Sequence, residues 1–276
     1  MTWPVFRHEA MATEWEIVIA GQDTEYARQA AAAAFREVDR LEGELSRFVE
    51  TSDIARANRL AFGASLAIGD DALECLALAA GIAEATGRAF NPAYASEPDP
   101  AQPAGVPPFL LDPAAHQLTS RSRRLQLDLG AVGKGYGLDR VGEVLDEWGV
   151  NSACCHCGGS TALALDAPKG EAGWTVGLGE GEGCCDIRLI RASLSGSGTA
   201  VKGSHLIDPR TGSPAARTSR VWALAPTAAV SDALSTAFFV MSDAEVAAFI
   251  SAHPDLGAAL ANVDGTLVVL GSLQPA

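Results

Sequence analysis

The sequence is short of positive charge. Its 20 lysines and arginines face 34 aspartates and glutamates, a formal net charge of −14. So acidic a chain lacks the basic patches that nucleic acid requires, and an anionic membrane surface would repel it. Any phosphate it binds sits in a local pocket, against the field of the whole molecule. Long apolar runs are missing too. Nothing approaches the ~18 apolar residues of a membrane span. The opening residues, MTWPVFRHEAMATEWEIVIAG, have no basic stretch leading into an apolar one. No cysteine near the start offers a lipid anchor. These absences set the expectation of a soluble, cytoplasmic protein. No internal repeat is visible, and nothing in the pattern fixes an oligomeric state.

Structural-zinc spacing is also absent. The chain has 6 cysteines, whose one CxxC spacing, Cys154 to Cys157, has no second pair to complete a four-ligand site. The densest group is Cys154-Cys155-His156-Cys157. In an extended strand, Cys154 and His156 face one way while Cys155 and Cys157 face the other, so they cannot converge on one ion. The expectation is a buried strand of small, soft side chains, and in a reducing compartment disulfides are disfavoured.

What is present suffices for a sizeable core: 276 residues, 48% of them hydrophobic. Residues 15–20 alternate as a strand, and Asp23 or Thr24 can cap an alanine-rich helix reaching Leu45. Residues 45–60 read as a loop with a short helix. A second alanine-rich helix runs from Leu73 to about Thr86. Residues 93–108 carry five prolines and are expected to be a loop. Residues 109–111 and 117–118 suggest a hairpin. Short strands are expected at 153–157, 161–165, 174–178, 186–190, 192–194 and 221–225. Helices follow at 232–241, with Ser231 as cap, and at 243–252. Strands at 258–263 and 266–270 close the chain. Strands and helices mix without βαβ regularity, so the predicted class is α+β in a single large domain over residues 1–276, with the proline-rich loop at 93–108.

The chain is organised around LQLDLGAVGKGYGLDRVGEVLDEWGV, residues 125–150. Leu125, Leu127 and Leu129 have the strand period. Gly130, Gly133, Gly135 and Gly137 follow, with Lys134 among them. Val141, Val144, Leu145 and Trp148 then have helical spacing, and Gly149 stands where a helix ends. A carboxylate, Asp128, thus precedes a glycine turn with a lysine, and a helix N-terminus points back at it. Such a turn can hold an anion, typically phosphate. It is neither a Walker A loop nor a GxGxxG fingerprint. The spacing alone fits equally well a tight strand-to-helix turn with a solvated lysine.

Five motifs, taken in order, resemble one family, the ApbE-like flavin transferases. Met11-Ala12-Thr13 resembles the family's methionine–glycine–threonine. LSRFVETSDIARAN resembles its Leu-Ser-x-Phe/Tyr stretch, and LDLGAVGKGYGLD its central signature. HLIDPRTGSP, residues 205–214, is similar to its His-x-x-Asp-Pro motif, and SDALSTAFFVM, residues 231–241, to its Asp-Ala-x-x-Thr-Ala helix. The resemblance implies a T-fold-like domain that binds FAD and Mg²⁺. It implies transfer of FMN to a serine or threonine of a target protein with release of AMP, or hydrolysis of FAD to FMN and AMP, or a non-catalytic flavin-binding fold. Asp128 and Lys134 would contact FAD, and Met11, Phe48, Ala89, Phe90, Asn91 and Leu206 would lie around the flavin and adenine. Ala131 would offer its carbonyl to the metal, with Asp232, Ser235 and Thr236 supplying side-chain oxygens, and His205 would be the base. Asp232 and Thr236 are one helical turn apart, and hard oxygens suit Mg²⁺. Read alone, Asp232 is also what a helix N-terminus favours, and His205 a polar loop residue. The sequence departs from the family at Asn91, where an aspartate is usual, in the proline-rich segment, at Ser160, and at Leu194-Ser195-Gly196.

Overall fold

The computed structural model describes residues 3–103, 105–178, 185–198, 207–215, 220–262 and 266–274. In chain order its elements are β1 (Val5–Ala10), β2 (Thr13–Ile19), α1 (Thr24–Leu45), α2 (Asp53–Ala57), β3 (Ser65–Ala67) and α3 (Asp70–Ala85). These precede β4 (Glu97–Pro98), β5 (Phe109–Asp112), β6 (Gln117–Ser120), β7 (Ser122–Arg124) and α4 (Gly133–Glu147). Then come β8 (Ala153–Cys157), β9 (Thr161–Ala164), β10 (Trp174–Leu178), β11 (Cys185–Leu189), β12 (Ala192–Ser197), β13 (Ile207–Asp208) and β14 (Ser213–Pro214). The last are β15 (Val221–Ala225), α5 (Ala228–Val240), α6 (Asp243–Ala252), β16 (Gly257–Ala261) and β17 (Leu267–Gly271). The class is α+β, as the sequence predicts. Among the described residues no helix is long and apolar enough to cross a membrane.

One antiparallel sheet of order β1-β2-β8-β9-β12-β15-β16-β17 runs through the molecule. On one face Trp15, Ile17, Cys155 and Cys157 meet Ala30, Ala34 and Val38 of α1 and Leu138, Val141 and Leu145 of α4. The alanines of α1 leave room for the helix to lie close to the sheet. On the other face Cys154, Ala162, Leu194 and Trp222 lie under Trp174, Leu178, Ile187 and Leu189 of the β10–β11 hairpin. The cysteines therefore divide between the faces as the strand period requires. Cys75, Cys154, Cys155 and Cys157 are buried thiols, and the Cys154 sulfur meets His156 Nε2 at 3.4 Å. A third cluster joins α3, α5 and α6 to β5 and β6.

Several expectations are corrected. The sequence reading begins at residue 15 and misses β1, whose outward residues are exposed because it is an edge strand. The β1–β2 turn is Met11-Ala12, with φ of 51° and 58°, the two positive values of the tight turn that matches strand twist. The helix expected at 232–241 begins at Ala228, with Thr227 at its N-cap position. Ser231 lies inside the first turn, where its hydroxyl donates to Ala228 O at 3.1 Å. The proline-rich segment holds one short bridge, β4 to β7. Residues 125–129, expected as a strand, join no ladder.

Candidate functional site

Residues 125–129 keep the strand alternation but take their hydrogen bonds from side chains. Leu125, Leu127 and Leu129 are buried. Leu127 N donates to Asn58 Oδ1 at 2.6 Å, and Asn58 Nδ2 returns a bond to Leu127 O at 2.9 Å. The Asn58 amide thus stands in for a neighbouring strand. Gln126 N donates to Ser96 Oγ at 2.9 Å, and Asp128 N to Pro92 O at 2.8 Å. A buried backbone must be satisfied somewhere, and here two segments do it: the end of α2, through Asn58, and the loop after α3, through Pro92 and Ser96. Residue 128 is therefore held rigidly while its carboxylate, a third exposed, stays reachable. That carboxylate accepts from Gly130 N at 2.9 Å and lies 3.5 Å from the Arg47 guanidinium. Arg47 in turn sits 4.6 Å from the centroid of the Phe48 ring.

After the turn, α4 crosses α5. A Cβ on Gly135 would lie 2.2 Å from Ala228 O, so only glycine permits the approach. At this crossing neither helix caps itself: the N-cap residues Val132 and Thr227 make no side-chain cap bond. Instead Gly135 N of α4 donates to Asp232 Oδ2 of α5 at 3.1 Å. Ala228 N and Ala229 N of α5 donate to Asp139 Oδ1 and Oδ2 of α4 at 2.6 and 2.9 Å. The expectation of free N–H groups facing the glycine turn is corrected here, since the protein's own Asp232 takes the Gly135 N–H. Lys134 Nζ donates to Gly130 O across the turn.

Asp232 is buried. Burial pushes its pKa up; the positive charge of Lys134, the Gly135 N–H and the Ser195 hydroxyl pull it back. Its Oδ1 has only a long 3.5 Å contact with Ser195 Oγ among the described residues. Ser195 also meets Thr161 Oγ1 at 2.8 Å, and Ser235 Oγ meets Ser197 Oγ at 2.9 Å. The same neighbourhood reaches Cys157, whose thiol burial pushes up to about 12, Lys134 lowering it and Asp232 raising it. Among the described residues no three His, Cys, Asp or Glu side chains are grouped so that they could hold a metal ion. A cation here would rest on one carboxylate with hydroxyl and carbonyl oxygens. That donor set suits a hard cation, and an under-bonded, buried carboxylate is the group that such a cation would hold ionised.

Over residues 11–260 the sequence matches the model of a known family, the ApbE family. The chain belongs to the ApbE family. A curated relative, the FAD:protein FMN transferase of Treponema pallidum, is 28% identical over 166 residues, 52% of this chain and 46% of that relative's length. The match therefore spans under half of that relative. Among solved structures, the flavin transferase ApbE of Vibrio cholerae superposes with a TM-score of 0.82 at 18% identity, covering 98% of both chains. The ApbE protein of Thermotoga maritima gives 0.82 at 22% identity, covering 98% of this chain and 97% of that one. At these identities the structures establish the fold.

Within the ApbE fold, the sequence-predicted residues fall into two groups. Phe48, through Arg47, and Asp128, Lys134 and Asp232 form one connected neighbourhood, with Ala131 in the turn and Ser235 and Thr236 on the same turn of α5 as Asp232. Phe48 is 81% exposed, an uncovered aromatic beside the site. Asn91 joins from below: Pro92 holds Asp128, and Asn91 Oδ1 accepts from Ala93 N at 2.9 Å. Asn91 and Ser96 also line a cleft of about 440 Å³ with Arg88, Tyr94, Gln102 and Arg121; neither Lys134 nor Asp232 lines it. Ala89 and Phe90 are buried in the core, and Met11 packs against it from the hairpin turn. His205 and Leu206 lie outside the described residues. Sequence reasoning assigned no role to Arg47, Asn58, Ser195 or Asp139. Asp139 had a signal: it lies one turn from Gly135 on a face of small and apolar residues, where a carboxylate needs a partner.

Proposed function

We propose that this chain transfers FMN from FAD to a serine or threonine of a partner protein, with Mg²⁺ as the cation and AMP as the released product. The observation that supports it best is Asp232, a buried, under-bonded carboxylate beside the glycine turn and within the field of Lys134. Asp232, Thr236, Ser235 and the Ala131 carbonyl would hold the cation. Bound there, Mg²⁺ would neutralise charge on the diphosphate. Lys134, now turned onto Gly130 O, has a charge that a phosphate could take over. Asp128, fixed by Arg47 and Gly130, would accept from a nucleoside group, and the exposed ring of Phe48 offers a stacking face. In this reading Met11, Ala89, Phe90, Asn91 and Leu206 would lie around the flavin and adenine.

In this reading His205 takes the proton of the acceptor hydroxyl. The hydroxyl oxygen forms the new bond to the FMN phosphorus, and the bridging oxygen departs with AMP. The test is incubation with FAD, Mg²⁺ and a candidate partner, followed by chromatography and mass measurement of the partner. AMP with an FMN-sized mass gain is expected. AMP with free FMN would make the chain a FAD hydrolase, with water replacing the protein hydroxyl. FAD recovered whole would overturn both and leave a non-catalytic member of the fold.

A further inference from the structure

The caps at the α4–α5 crossing are exchanged. Gly135 and Asp139 are one turn apart on α4, as Ala228 and Asp232 are on α5. Gly135 N binds Asp232, while Ala228 N and Ala229 N bind Asp139. The contacts close a ring around the point where the Gly135 Cα passes Ala228 O. We propose that Asp139 is a positioning residue: by pinning the first turn of α5 it fixes where Asp232 stands against the glycine turn.

The argument rests on what each helix lacks. Thr227 does not cap α5, so without Asp139 the Ala228 and Ala229 N–H groups lose their acceptors and the first turn frays. Asp232 is carried one turn further in, and its bond to Gly135 N depends on that turn being formed. The carboxylate is retained at a cost. It is buried, and Glu143 on its own helix and Asp232 on α5 both face it with negative charge. Among the described residues the Ala229 and Ala228 amides favour its charge, and burial outweighs them, raising its pKa to about 6. An apolar residue would pack there without that penalty but would leave α5 uncapped. The consequence for FAD rests on the proposed function; the linkage between the two carboxylates does not.

The test uses the ligand-free full chain, with amide hydrogen exchange as the readout. Asp139→Asn keeps the side-chain size and one acceptor oxygen, but turns an N–H donor toward the other of the two α5 N–H groups. Exchange at Ala228 and Ala229 should quicken about tenfold, the scale of one lost hydrogen bond. Exchange at Gly135, on the other helix, should quicken with them, while sheet amides such as Cys155 hold their rates. A second variant, Asp139→Asn with Thr227→Asp, gives α5 a cap of its own and should restore protection at Gly135. An unchanged Gly135 in the single variant, or an equal rise at all core amides, would overturn the proposal. If the single variant does not fold, Asp232→Asn reports the same linkage in reverse: faster exchange at Ala228 and Ala229 supports it, and unchanged rates overturn it. FAD titration by flavin fluorescence of the single variant then separates the site's use from its geometry. Weaker binding with intact Gly135 exchange would also overturn the positioning role.

Discussion

The N-termini of α6 and of the α4–α5 pair are closed in two different ways. The N-terminus of α6 is closed from within: Ser242 Oγ accepts from Glu245 N, and Glu245 reaches back to Ser242 N at 2.7 Å. The N-termini of α4 and α5 are closed only by each other. A self-contained cap depends on four consecutive residues and stays intact wherever the helix is carried. An exchanged cap is correct only when both helices are in place, so it reports and enforces their relative position. The self-capped helix meets the 205–214 motif only through a side chain, Glu245 accepting from Arg210 at 2.8 Å, whereas the cross-capped pair carries the glycine turn and Asp232 on its own backbone.

Gly135→Ala should break this comparison most severely. Its Cβ would meet the Ala228 carbonyl, and the helices must separate, costing about 3 kcal/mol and abolishing FAD binding by titration. Gly43 is the control, since a Cβ there meets nothing within 4 Å. Gly43→Ala should instead stabilise by up to about 1 kcal/mol through helix propensity. Similar melting temperatures for the two variants would remove the close-approach argument.

Lys134 sharpens the functional side. Lys134→Ala should weaken FAD binding by about tenfold, as loss of a charged hydrogen bond does, and Lys134→Glu should weaken it further. A glutamate variant close to wild type, with alanine weaker, would move the contact from phosphate to a nucleoside group. Affinity unchanged in both would reduce the turn to a structural one.

Ser242→Ala should cost about 1 kcal/mol in denaturant unfolding and leave FAD binding unaltered, because among the described residues the Ser242 side chain bonds only Glu245, within its own helix. Loss of FAD affinity in this variant would show that the two kinds of cap are not functionally distinct.

The pH dependence tests the exchanged cap from a different side. In the fold Asp139 titrates at about 6, against 3.8 ordinarily. The folded protein therefore takes up this proton before the unfolded chain does. That contribution to stability is fully present below about pH 4 and is lost as the pH rises through about 6. The difference in melting temperature between wild type and Asp139→Asn should change over this window and be flat above it. A difference independent of pH from 4 to 8 would remove the raised titration.

What the sequence disclosed follows the range of each interaction. The Asp23 cap was legible because its acceptor and its Glu25 and Tyr26 donors are neighbours. The division of the cysteines between faces was legible because strand period alone decides it. Gly149, at φ 68°, ends α4 as expected. Residues 125–129 misled because alternation records burial, not which groups accept the hydrogen bonds, and their partners stand far back at Asn58, Pro92 and Ser96. Ser231 misled because a serine before an aspartate imitates a helix start, whereas the true cap lies on another helix. At the site, the residue types of the glycine turn and of α5 were readable, but their partnership was not. Asp139 was quoted within its motif and still had no role, because its donors are about ninety residues away.

That separation bears on when the site comes into being during synthesis. Gly135 and Asp232 are 97 residues apart, and Asp139 and Ala228 are 89 apart. Between them lie four strands of the main sheet, β8, β9, β12 and β15, and the hairpin that covers it. Closing so long a loop is entropically costly until those strands have paired and shortened the path. A nascent chain that has not yet emerged past residue 232 carries the glycine turn and its lysine without the carboxylate they face. On the proposed function, a molecule made only that far has the Lys134 and Asp128 contacts but not the carboxylate that would hold the cation, so the site is completed late in synthesis.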